Sequence, residues 1–114
     1  MVNRHRGETA LMVAGQELPM RLTLGALAEL EHAFAVDSLP ALGQRFVSGE
    51  LSARDIVRIL AAGLRGAGRV IADEEVAGLD FDGGLAGAIK AAIALLESTF
   101  GEGEGARPPQ PPAN

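Results

Sequence analysis

The chain has 114 residues, a formal net charge of −5 and no cysteine. That length suits one domain able to bury about two-thirds of its unfolded surface in its own core. The missing cysteines exclude a disulfide framework, a thiolate metal site and a cysteine nucleophile, and the acidic balance argues against general binding to nucleic-acid phosphates.

Hydrophobic content of 47% with only four aromatics, all Phe, predicts a globular protein with an aliphatic core. No uncharged run approaches the roughly 18 residues of a membrane span, and no apolar stretch follows MVNRHRGE as a signal peptide would require. The default location is the cytoplasm, with no membrane partner.

In chain order, Glu8 to Ala14 and Leu18 to Thr23 alternate apolar and polar positions around Gly15, which predicts a β-hairpin. Pro19 favours a four-residue loop, Ala14 to Glu17, over a two-residue Gly15-Gln16 turn, because the longer loop leaves the missing donor at a non-hydrogen-bonded pair. Either loop pairs Val13 with Leu18 and Leu11 with Met20 on one face. A lone hairpin is marginal, so this one must lie on helices or gain a partner strand.

The stretch LTLGALAELEHAFAV, Leu22 to Val36, carries an amphipathic pattern at Leu27, Leu30, Ala33 and Phe34, with Thr23 as N-cap. It reads as the helix around which the core is assembled. Ser38 caps a second helix with Pro40 in its first turn and Gly49 at its end. The third has a short-acid capping box, Ser52-Ala53-Arg54-Asp55, then Ile56, Ile59, Leu60 and Leu64 at helical spacing, and stops at Gly66-Ala67-Gly68. Asp73-Glu74-Glu75-Val76 suits a short acidic helix start. The last helix sets Leu85, Ile89, Ile93, Leu96 and Phe100 on one stripe, predicted to face the core. From Gly101 the Gly- and Pro-rich GEGEGARPPQPPAN lacks large apolar residues and is predicted to be a disordered tail. The fold expected is α+β, mostly α: a single domain over residues 1–100, with an N-terminal hairpin packed on a compact bundle of four to five helices, and a tail over 101–114.

No residue set carries catalysis. His5 and His32 lie apart and read as surface histidines, not metal ligands. Asp80-x-Asp82-Gly-Gly fails as a calcium loop, because Leu85 stands where its sixth-position glycine belongs and Ala91 where its terminal glutamate belongs. Gly63, Gly66 and Gly68 follow a helix and not a strand, and so read as a helix stop, not a phosphate loop. Ser52 is accounted for as a cap. No cofactor, metal or enzymatic activity is expected.

Arg54, Arg58 and Arg65 stack within about 40° on one side of the third helix. Such a stripe is either a solvated face or a docking surface for an acidic partner. Helices two and three could also form a helix-turn-helix led by Arg54 and Arg58, although the overall acidity and the absence of Asn, Gln and Lys from that helix weigh against a DNA-binding regulator.

NRHRGE, LTLGALAELEHAF, FVSGELSARDIVRILAAGLRGAG, DEEVAGL and GGLAGAIKAAIALLESTFG, in that order, resemble the small tail protein of gene transfer agents, a family grouped with phage tail assembly chaperones. The resemblance spans about residues 3 to 101. It implies a non-catalytic chaperone that holds the tape-measure protein soluble while tail-tube protein polymerises round it, or else a structural component of the tail tube. It leaves homo-oligomerisation open and carries over no site residues. From the sequence itself, the candidate partner-binding residues are an exposed apolar patch at Leu18, Met20 and Leu27, together with Arg54, Arg58 and Arg65.

Overall fold

The computed structural model describes residues 8–48 and 50–101. Two strands, β1 (Glu8–Val13) and β2 (Gln16–Arg21), form an antiparallel hairpin, and five helices follow: α1 (Leu24–Ala33), α2 (Leu39–Val47), α3 (Ala53–Gly66), α4 (Asp73–Ala77) and α5 (Gly84–Leu96). A single π turn, Glu97–Gly101, ends the described chain. This is the α+β, mostly helical arrangement expected. The expected disordered tail beyond Gly101, His5 and the predicted helix stop at Gly49 lie outside the described residues.

The core assembles around α3 and not, as the sequence suggested, around α1. Residues Ile59 to Leu64 of α3 are all essentially inaccessible, and β2, α1, α4 and α5 all pack on this helix. Two glycines allow that crowding. A Cβ on Gly63 would stand 2.5 Å from the Leu95 Cδ2 and 3.1 Å from the Met20 Cβ, and one on Gly66 would stand 1.9 Å from the Arg21 carbonyl oxygen. The N-terminus of α3 is the predicted capping box: Asp55 N–H donates to the Ser52 hydroxyl and Ser52 N–H to the Asp55 carboxylate. Both α1 and α3 end in Schellman motifs, with Val36 N–H bonded to the Glu31 carbonyl and Arg69 N–H to that of Leu64.

The hairpin differs from expectation in its turn. Val13 pairs with Gln16, Leu11 with Leu18, and Ala10 with Pro19, so the loop is the two-residue Ala14-Gly15. Both residues have positive φ, 51° and 80°, as a type I′ turn requires. In this register Pro19 occupies a non-hydrogen-bonded pair, and the objection to a two-residue turn, which assumed Gly15-Gln16, disappears. The observed pairing differs from the expected one by two residues, an even shift, so Leu11, Val13, Leu18 and Met20 still share the face turned to the helices. A backbone bridge ties Val13 to Phe81, with Ala14 N–H donating to the Asp80 carbonyl and Asp82 N–H to that of Met12. The Asp82 carboxylate also accepts from Gly15 N–H at 3.1 Å.

The last helix is turned from its predicted orientation. Its buried residues are Ala88, Ala92, Leu95 and Leu96, whereas Leu85 is 69% and Ile93 45% exposed. The small side chains face inward because α5 lies close against α3 and β1, and a Cβ on Gly87 would stand 1.9 Å from the Asp82 carbonyl oxygen. Of the predicted stripe, Leu85 and Ile93 are thereby carried toward solvent, while Ile89, Leu96 and Phe100 stay against the core. Phe46 meets Phe34 edge-on at 5.4 Å and Phe100 at 6.0 Å, fixing α2 and the π turn to the end of α1.

Candidate assembly surface

Most of the residues singled out in the sequence are engaged inside the domain. Met20 is fully buried, Leu27 is 8% exposed, and Leu18 is half-buried against the core. The exposed apolar patch expected there is therefore absent, because the hairpin and α1 both turn these side chains toward α3 and the core.

The arginine stripe is divided by burial and pairing. Arg65 donates through one guanidinium nitrogen to the Ile71 carbonyl at 2.8 Å and to Asp73 at 3.2 Å, and through the other to Glu29. It thus clamps α1, α3 and α4 together. Arg58 reaches the Ala33 carbonyl, while Arg54 stays exposed. One helical face is preserved, but its three guanidinium groups do not form a free basic surface. Helix α2 packs chiefly on α1 and not on α3, so the helix-turn-helix arrangement does not form. The cation that joins α2 to α3 is Arg45, which lies over the Phe34 ring and pairs with Asp55 at 3.1 Å. Burial pushes the Asp55 carboxyl up, but the Ser52 N–H, the Ser52 hydroxyl and Arg45 together hold it below the ordinary aspartate value.

The open surface lies along the outer edge of β2. In a hairpin with a two-residue turn, the backbone groups of Glu17, Pro19 and Arg21 point away from β1. Among the described residues these groups make no backbone hydrogen bond to another element, although Gly66 abuts the Arg21 carbonyl. The loop after α3 runs beside this edge. Between them lies a groove of about 420 Å³ lined by Pro19, Ala67, Gly68, Arg69 and Val70. Val70 is 99% exposed, and Arg69 has no ion-pair partner among the described residues.

A shallow groove of this kind offers carbonyl acceptors, one apolar contact and one cation, which suits a protein segment better than an enclosed small molecule. Pro19 removes the central donor, so an added strand would pair incompletely. The sequence reading missed this groove. Its signal was an isolated Arg-Val between a helix stop and an acidic turn, which patterning by itself does not mark.

Among the described residues no cluster of three or more His, Cys, Asp or Glu could hold a metal ion. None of the helices is long and apolar enough to cross a membrane. The chain matches, over residues 6–102, the family described as Phage tail tube protein, GTA-gp10. It belongs to that family. The matched span includes the hairpin, all five helices and the π turn, so the match covers the whole described domain. No curated protein and no solved structure matches the chain. Membership in the GTA-gp10 family places the chain among phage-like tail proteins and agrees with the gene transfer agent resemblance.

Proposed function

We propose that this chain is a non-catalytic, structural component of a phage-like tail, working through protein contacts alone and present in more than one copy. The observation that carries this reading is the family match over residues 6–102, which takes in the groove beside β2 as well as the core. The groove supplies the contact: Val70 as its apolar point, Arg69 as its cation, and the outward carbonyl of Pro19 as an acceptor. Mass spectrometry of purified tailed particles tests it. The protein should be recovered at a fixed ratio to the other tail proteins, and its absence from mature particles would overturn the reading.

A second reading has one observation in its favour. Pro19 interrupts the outer edge of β2, and the 80–82 segment occupies part of the outer edge of β1, so neither edge suits sheet-to-sheet polymerisation. A subunit that does not extend a sheet fits an assembly chaperone, which would hold the tape-measure protein in the cytoplasm while tail-tube protein polymerises round it. Co-expression and pull-down with the tape-measure protein distinguishes this role. Capture that is lost in Val70→Glu, combined with absence from particles, would favour the chaperone.

A further inference from the structure

The structure points to α5 as a self-association surface, and we propose that two copies of this chain pair through it antiparallel about a two-fold axis. The outward arc of α5 carries Leu85, Ala86, Lys90, Ile93 and Ala94, continued by Glu97 at the start of the π turn, all exposed, with Ile89 half-buried at its margin. Leu85 and Ile93 are 69% and 45% exposed, although the sequence places them on the most regular apolar stripe of the chain. A helix with apolar residues on both its inner and outer faces is one that a second surface covers.

Charge selects the occupant. Lys90 and Glu97 are seven residues apart, so they lie on one line along the helix, roughly 10.5 Å from each other. That is too far to pair within the chain, and neither has an ion-pair partner among the described residues. A two-fold axis crossing the helix near Ile93, midway between them, reverses the second helix. Lys90 of each copy then faces Glu97 of the other, and Ile93 meets its own symmetry mate. An isologous contact requires this self-complementarity: residue i meets j, and j meets i. Leu85 and Ile89 flank the same seam on its opposite side. The small Ala86 and Ala94 let the two helices approach closely.

A single helix pair buries less than the roughly 1,200 Å² of a standard interface, so the association is concentration-dependent. This inference rests on α5 alone and does not depend on the tail reading, and particle composition does not test it.

Sedimentation equilibrium of the full chain, from micromolar to about 1 mM, should show a monomer–dimer equilibrium. Ile93→Asp should abolish it while leaving the thermal midpoint near that of the wild type, because Ile93 contributes little to the monomer core. Lys90→Glu or Glu97→Lys alone should weaken dimerisation about tenfold or more, since each creates two like-charge contacts, and tenfold corresponds to about 1.4 kcal/mol. The double exchange, Lys90→Glu with Glu97→Lys, should restore the wild-type constant. A monomer throughout, a dimer indifferent to Ile93→Asp, or a double exchange no better than the single changes would overturn the proposal.

Discussion

Gly66→Ala isolates the contact that holds the hairpin to the central helix. Gly66 is the last residue of α3, and a Cβ there would lie 1.9 Å from the carbonyl oxygen and 3.1 Å from the carbonyl carbon of Arg21. Real Cβ contacts essentially never fall below 3.0 Å, so helix and strand must separate by about 1 Å at this point. The obstacle is backbone and cannot rotate away. Elsewhere in a helix the same change gains about 0.5–1 kcal/mol from propensity, whereas overpacking a closed contact costs about 1–3 kcal/mol and occasionally more. Opening this one also loosens Met20 and Leu22, both buried. A net loss of about 2–3 kcal/mol is expected, lowering the thermal midpoint by about 10–20 °C for a domain of this size.

Thermal unfolding followed by far-UV circular dichroism measures it, with Gly43→Ala as the control. A Cβ at Gly43 would meet only the Phe100 Cδ1, at an ordinary 4.0 Å, so this second variant should hold or gain stability by about 0.5 kcal/mol. If Gly66→Ala unfolds within 2 °C or so of the wild type, the close approach is not what fixes β2 on α3.

Three further outcomes follow from the packing and the ion pairs. Arg45→Met removes the partner of the buried Asp55, the bond to the Glu50 carbonyl and the stack on Phe34; a loss of about 1–3 kcal/mol should appear as a lower urea midpoint, and an unchanged midpoint would contradict it. Because the folded Asp55 carboxyl titrates below its unfolded value near 3.9, its contribution is present above about pH 4 and lost as pH falls through the folded value; the stability gap between wild type and Asp55→Asn should therefore close on acidification, and a gap that widens would reverse the assigned sign. Ala14→Asn places a residue that tolerates positive φ in the type I′ turn, where Ala14 sits at 51°, and should raise stability by about 0.5–1 kcal/mol in the same unfolding assay, whereas the four-residue loop would predict no gain.

Several parts of this fold follow from local chemistry, and those parts are legible in the sequence. Thr23, Ser38 and Ser52 cap their helices as read, each hydroxyl accepting the N–H three residues on, because capping is decided within one turn. The hairpin face survives the wrong turn, since alternation fixes the face and only the loop fixes the pairing.

Which side of α5 is inward could not be read in that way. Leu85 and Ile93 are the larger apolar side chains, but the space beside α3 is narrow. Gly63 admits the Leu95 side chain, Gly87 admits the Asp82 carbonyl, and Ala88 and Ala92 fill what remains. Close packing rewards the residues that fit over the most apolar ones. The same competition decided that α3, with four neighbouring elements, is the centre, and that Arg65 closes three helices together instead of facing a partner. Sequence pattern determined where the capped helices begin and which hairpin residues share a face. The distances between those elements, which no local pattern encodes, decided which apolar face was covered and which was left for another molecule.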